Sequence, residues 1–323
     1  MRQGDLFPPP PPRAVGPRAN ILVGTCSWAD PALIKTGTFY PKGSTPESRL
    51  RHYATQFPVV EIDSSFFAMP TVQNTALWTE RTPAAFRFSI KAYRVLTGHQ
   101  AAPATFPPDL QPLLPPLQGR RKNHYYADLP DEIRDELWRR FAEALVPLKD
   151  SKKLLAVHFQ FAPWVTAAPE WIEHIEHCVA RMAGQRVAVE FRNSSWLAET
   201  RAAHTLQWLR ELAAAHTVVD EPQGVGNYAH GVWDLADPAL AIVRLHGRNA
   251  ETWNRKGLSS SAERFNYEYS DAELDELSTR VLELAQRAFT VVVLVNVNHG
   301  DQGVRAARRI QAMLAAKGAT LGA

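Results

Sequence analysis

Six short runs in the 323-residue chain end on one phase, a polar and chemically able side chain alternating with an apolar one. They are Val60-Glu61-Ile62-Asp63, Phe88-Ser89-Ile90-Lys91, Val157-His158-Phe159-Gln160, Val189-Glu190-Phe191-Arg192, Val243-Arg244-Leu245-His246 and Val295-Asn296-Val297-Asn298. A period of two belongs to a β-strand, where residues two apart share a face. With the apolar set turned outward, the polar set faces a common axis. Charges gathered there are costly unless they pair, hold a ligand or meet water. Glu61, Glu190 and Asp220 are candidate acids or bases, and His246 a candidate proton shuttle or metal ligand. Lys91, Arg244 and Arg248 suit a phosphate or carboxylate, whose oxygens a guanidinium fork matches in pairs. Gln160, Arg192, Asn296 and Asn298 complete the polar set as candidate substrate contacts. Trp253, Tyr267 and Tyr269 offer faces for stacking on a base or sugar, or for ordinary packing.

A self-satisfied ion network, such as Glu61 or Glu190 with Lys91 or Arg244, accounts for any one of these residues alone. The shared phase of six strand ends points instead to a ligand site. His158 and His246 with Glu61, Glu190 or Asp220 have the chemistry of metal ligands. The chain has no HExxH or HxH spacing, and Lys91, Arg192 and Arg244 would crowd a cation, so no metal is assigned and the cofactor is left open.

Eight β-rich runs position these residues, at 21–25, 59–63, 87–91, 154–161, 187–192, 217–220, 241–246 and 291–297. Between them, helical spacing falls at 46–56, 72–79, 130–145, 170–182, 203–215, 271–287 and 303–316. Alternating strands and helices imply a parallel sheet, and eight such units predict a single-domain (β/α)8 TIM barrel. An open doubly wound sheet is the structural alternative. No GxGxxG or GxxxxGK[ST] loop follows the first strand, which counts against a nucleotide-binding version of it. Barrel active sites gather at the C-terminal ends of the strands, where the polar phase lies. The connection from Lys91 to Leu154 is long and proline-rich, either a cover for that face or a packing insert.

A formal charge of +3 and a sequence pI near 8.9 permit an anionic ligand but are not those of a dedicated nucleic-acid coat. Cys26 and Cys178 are far apart, so no disulfide framework is expected. Without a signal-peptide run or an 18-residue apolar stretch, a cytoplasmic protein is expected.

The same residues carry a resemblance. Val23-Gly24-Thr25-Cys26-Ser27-Trp28, Phe39-Tyr40-Pro41, and Val60 to Phe67 with Pro70 resemble the opening motifs of the YecE-like family, domain of unknown function 72. Phe86 to Lys91, Gln160-Phe161, Val189 to Arg192 with Ser195-Trp196, Arg244 to Arg248, and Tyr267 to Leu274 follow in order, so that the resemblance covers about residues 21–316. It implies a TIM barrel and brings no activity with it. Barrels of that family are similar to the xylose-isomerase and endonuclease-IV type, an analogy of fold only. The chain departs from the family pattern at Ala162 before Pro163, and at Asn296 and Asn298, which Val297 separates.

Residues 1–20 read as a tail outside the barrel domain of 21–323, with prolines 8–12 as a stiff spacer. Gln3-Gly4-Asp5-Leu6-Phe7 resembles the peptide by which bacterial replication and repair proteins dock on the sliding clamp. Leu6 and Phe7 would be its apolar anchors, with Gln3 and Asp5 at the rim. Three functional readings follow. The first is a hydrolase acting on a phosphate-bearing substrate or damaged nucleic acid. The second is a non-catalytic nucleic-acid or metabolite-binding module recruited by the tail. The third is a sugar or small-acid isomerase or hydrolase.

Overall fold

The computed structural model describes residues 19–222, 231–255, 257 and 261–322, apart from the side chains of 261 and 262. Eight parallel strands close into a barrel in chain order: β1 Asn20–Cys26, β2 Val59–Ile62, β3 Arg87–Lys91, β4 Leu154–Gln160, β5 Val187–Glu190, β6 Ala214–Asp220, β7 Ala241–Leu245 and β8 Thr290–Val295. β8 returns to β1 in register from Asn20↔Thr290 to Thr25↔Val295, so the sheet has no free edge. The fold is the (β/α)8 barrel that the strand count implies, and the open sheet is excluded. No helix among the described residues is long and apolar enough to cross a membrane.

The alternation within each strand builds two cores. Outward-facing Val60, Ile62, Phe88, Ile90, Val243 and Leu245 join the main cluster beneath the helices. Inward-facing Leu22, Val59, Ala188, Ala215, Ile242 and Val292 belong to a second, smaller cluster, which fills the lower half of the barrel. Continuing two residues along, Val59 leads to Glu61, Ala188 to Glu190 and Ile242 to Arg244. The barrel interior therefore changes from apolar to charged toward its C-terminal mouth.

Local chemistry sets the helix starts. Thr45, Thr71 and Ser270 cap the helices Pro46–Gln56, Val72–Glu80 and Asp271–Ala285 with reciprocal side-chain bonds to the third helical residue. Two boundaries differ from the sequence reading. The helix expected at 130–145 runs Asp131–Asp150 through Pro147, because Leu148 past the proline is buried on the same core face as Leu145 before it. The helix expected at 203–215 is Ala202–Glu211. Ala213 turns the chain at φ 53°, and Ala214 and Ala215 enter β6 as buried strand residues.

The long connection after β3 has two parts. Asp131–Asp150 is the crossover helix that any parallel β–α–β unit requires. The insert proper is 92–130, pinned by an antiparallel bridge between Ala101 and His124. Its first residues join the mouth: Ala162 N donates to Thr97 O, and Trp164 Nε1 donates to Gly98 O.

Candidate functional site

Arg244 is the hub of the mouth. β7 aims it across the barrel, where it is fully buried. Its Nη2 donates to Glu61 Oε1 of β2 at 2.6 Å, and its Nη1 to Glu190 Oε2 of β5 at 2.6 Å. Gln160 Oε1 accepts a further bond from Nη1 at 3.1 Å. His158 of β4 closes the ring, its Nδ1 donating to Glu61 Oε2 at 2.9 Å while Nε2 stands 3.5 Å from Glu190 Oε2. Burial alone would push both carboxyls up. Arg244 together with His158 at Glu61, and together with His246 and Arg192 at Glu190, overcomes it, so both stay ionised well below the usual carboxylate range. Burial likewise opposes the charge on Arg244, and the two glutamates overcome it. Direct contact of Arg244 with an anion was expected from its type. Its two Nη atoms are committed instead to Glu61 and Glu190, so it positions the carboxylates.

A second tier lies just past the strand ends, where Glu221 and His246 are still buried and Arg192 is slightly exposed. Arg192 follows β5 and donates from Nη1 to Glu190 Oε1 at 3.0 Å. Glu221, one residue past β6, has its Oε2 3.3 Å from the same Nη1. Burial pushes the Glu221 carboxyl up to about 7, since Arg192 offsets only part of the desolvation and Glu190 and Asp220 repel a further negative charge. His246 follows β7. Its Nδ1 accepts from Asn296 Nδ2 at 2.8 Å, and Nε2 lies 3.5 Å from Glu190 Oε1. Burial, then Arg244, lowers the imidazole to about 3, so it is neutral at ordinary pH. The proton shuttle expected of His246 gives way to a hydrogen-bonded strut.

The remaining candidates divide by what holds them. Lys91 Nζ donates to Asp63 Oδ1 at 2.7 Å at the mouth, over the Phe66 ring. Asp220 is saturated: Arg248 Nε donates to it at 2.9 Å and Tyr269 Oη at 2.7 Å, which makes it a structural acceptor rather than the free base expected. Arg248 also reaches Glu276 at 3.4 Å, so its guanidinium is shared between the Asp220 and Glu276 carboxylates. Trp253, expected as a stacking face, is buried under Arg192 against His246 and Phe265, so packing claims it. Tyr269 is buried as well, and half-buried Tyr267 packs edge-on against it and donates to Glu273. Asn298 bonds to Asp30 beyond the strand end. Gln3, Asp5, Leu6 and Phe7 lie outside the described residues.

Sequence reasoning weighed His158 only as a metal ligand, reached Glu221 only as the neighbour of Asp220, and did not place Cys26 in the site. Glu221 continues the inward phase of Ala215 and Thr217 one residue past the end of β6, and His158 has the phase of Glu61, so both could have been chosen on that signal. Cys26 Sγ lies 3.5 Å from Arg244 Nη2, and burial, then Glu61, raises its thiol well above the ordinary value. Next to it, Ser27 holds φ 91°, a strained value for a residue with a side chain, while its N–H donates to Glu61 O. Among the described residues no three His, Cys, Asp or Glu side chains are grouped to hold a metal ion. A cavity of about 330 Å³ opens at the opposite end of the barrel, lined by Asn20, Leu22, Arg87, Leu155, Arg186 and Thr290. No carboxylate or imidazole lines it, and it is at the end where barrels carry stability rather than chemistry.

The family model described as "Protein of unknown function DUF72" matches residues 22–322. The UPF0759 protein YunF of Bacillus subtilis (strain 168) is 30% identical over 282 residues, 87% of this chain and 89% of that protein. The crystal structure of a DUF72 family protein from Enterococcus faecalis V583 is similar with a TM-score of 0.74 at 27% identity, covering 91% of this chain and 95% of its own. One from Thermotoga maritima MSB8, 24% identical with a TM-score of 0.71 over 92% and 99% of the two chains, shares the fold. The match runs from β1 to the end of the barrel, and the chain belongs to the DUF72 family of YecE-like TIM barrels.

Proposed function

We propose that the protein is a hydrolase acting on a phosphate-bearing substrate held at the barrel mouth. The observation that carries this reading is the pair Glu221 and Glu190, two carboxyls on either side of Arg192 with their affinities for protons driven apart. A carboxyl near 7 exchanges protons at neutral pH, and its permanently ionised neighbour fixes the cation between them. In this reading Glu221 takes a proton from water as the water oxygen bonds to phosphorus. The phosphorus–oxygen bond to the leaving group breaks, and the leaving oxygen keeps the bonding pair and is protonated by solvent. Arg192 and Lys91 face the substrate charge, while Arg244, His158 and His246 hold the carboxylates in place. Damaged nucleic acid is one substrate of this chemistry. The same reading has the protein act in the cytoplasm, with residues 3–7 docking on a bacterial sliding clamp.

The alternative is a binding module. It is favoured by the half-exposed aromatics Phe67 and Trp164, which suit a ligand held without turnover. Assay of p-nitrophenyl phosphate and bis(p-nitrophenyl) phosphate with wild type and Glu221→Gln separates the two. The hydrolase reading expects turnover that Glu221→Gln removes while the variant still folds and unfolds cooperatively. Equal release of nitrophenolate by both proteins overturns it.

A further inference from the structure

The segment just after β3 brings a different set of groups to the rim. Arg94 opens a short 3-10 turn, Arg94–Thr97, three residues beyond Lys91. Its guanidinium lies 5.4 Å from the centroid of the Phe66 ring, and Lys91 Nζ lies 4.4 Å from the same ring. His99 packs edge-on against Phe66 at 4.9 Å and against Trp164 at 5.7 Å. Lys91 is paired with Asp63, and Arg192 with Glu190 and Glu221. Arg94 has no carboxylate within ion-pair distance among the described residues, and its Nε is buried without a hydrogen-bond partner there. The His99 imidazole is lowered to about 3 by burial, then by Lys91, Arg94 and Arg192, so all three cations act on one point. A guanidinium held beside a ring, short of acceptors and next to two further cations is arranged for an anion from outside.

Trp164 supplies the other half. Nearly half of it is exposed, yet the indole is fixed, because Nε1 donates to Gly98 O and the ring meets His99 and Tyr125 at their edges. A fixed, exposed indole binds a planar ring at little entropic cost.

We propose that Arg94, with Lys91 and Arg192, forms a phosphate subsite, and that Trp164 is the stacking platform for an aromatic base attached to that phosphate. The ligand class is a nucleotide, free or at the end of a nucleic-acid strand. The proposal rests on the reading of the mouth as a phosphate site, and names what the phosphate is attached to.

Titration of the full chain with AMP, adenosine, inorganic phosphate and a 5′-phosphorylated oligodeoxyadenylate tests it. Arg94→Gln is expected to weaken AMP by about tenfold or more, the loss of one charged hydrogen bond. Trp164→Ala is expected to weaken AMP and adenosine by about tenfold and leave inorganic phosphate unchanged. Both variants should melt with wild type, since neither side chain is enclosed in the core. The ratio of AMP to oligonucleotide affinity tells a free nucleotide from a strand end. If AMP binds, both substitutions weaken it and no phosphoester is turned over, the subsite stands and the hydrolase reading falls. AMP affinity indifferent to either substitution, or no saturable AMP binding to wild type, overturns the proposal.

Discussion

Arg244 Nη1 lies 2.6 Å from Glu190 Oε2 with both side chains removed from solvent, and this contact joins β7 to β5 across the barrel axis. Truncating one member of such a pair strands the other charge in a low-dielectric interior. Arg244→Ala should therefore cost about 3–5 kcal/mol of stability, read by urea unfolding. A loss below about 1 kcal/mol, the usual value of an exposed pair, would show that water reaches the hub.

Acid should loosen the same hub. Glu61 and Glu190 are held well below the ordinary carboxylate value, so their contribution is present above the unfolded pKa and is lost as pH falls toward the folded one. Glu221 has the opposite sign. Its folded value of about 7 exceeds the unfolded one, so its contribution is full below the unfolded value and disappears as pH rises through about 7. Thermal melts between pH 3 and 9 should show the Glu190→Gln variant with a flatter acid limb than wild type. Glu221→Gln should flatten the neutral limb. Parallel profiles for all three proteins would contradict these assignments.

Gly247 makes the turn from β7 into the mouth. It holds φ +82°, and a Cβ there would come within 2.6 Å of Tyr267 Cβ. Gly43 has a similar φ of +75° with nothing within 4 Å. Both Gly→Ala changes incur backbone strain, but only Gly247→Ala adds a clash beside the Tyr269 hydroxyl that accepts from Gly247 N. The melting temperature should fall clearly further for Gly247→Ala than for Gly43→Ala, and equal falls would refute the packing account.

The tail makes a separate prediction. A peptide of residues 1–12 should bind a purified bacterial sliding clamp weakly and saturably, with Leu6→Ala plus Phe7→Ala abolishing binding. Absence of binding at high micromolar peptide would remove the clamp as partner and leave the barrel chemistry untouched.

The barrel and its charged mouth were legible because strand parity is a physical constraint. Glu61, Glu190 and Arg244 share their phase with small or branched residues below them, and no other arrangement buries both sets. The division of labour among them was not legible. Nothing in the type of Arg244 distinguishes a guanidinium clasped by two carboxylates from one awaiting a phosphate, because that depends on which strands face each other across the axis. Trp253 shows the same limit, since an indole that stacks on a ligand and one that packs on His246 read alike in sequence. Glu221 escaped because the sixth run reads as ending at Asp220, one residue short, and Arg94 because it lies in the 3-10 turn beyond β3, where period-two reasoning stops. Pro147 misled in the other direction: local chemistry ends a helix there, and tertiary burial of Leu148 carries it on.

The central claim is that Glu221 supplies a proton-exchanging group for phosphoester hydrolysis. The most direct measurement is kcat/KM for bis(p-nitrophenyl) phosphate from pH 5 to 9 in wild type and Glu221→Gln. The account predicts turnover in wild type that rises through an inflection near 7, and loss of both rate and inflection in the variant. A wild-type profile without that inflection, or a variant that retains it, would contradict the account.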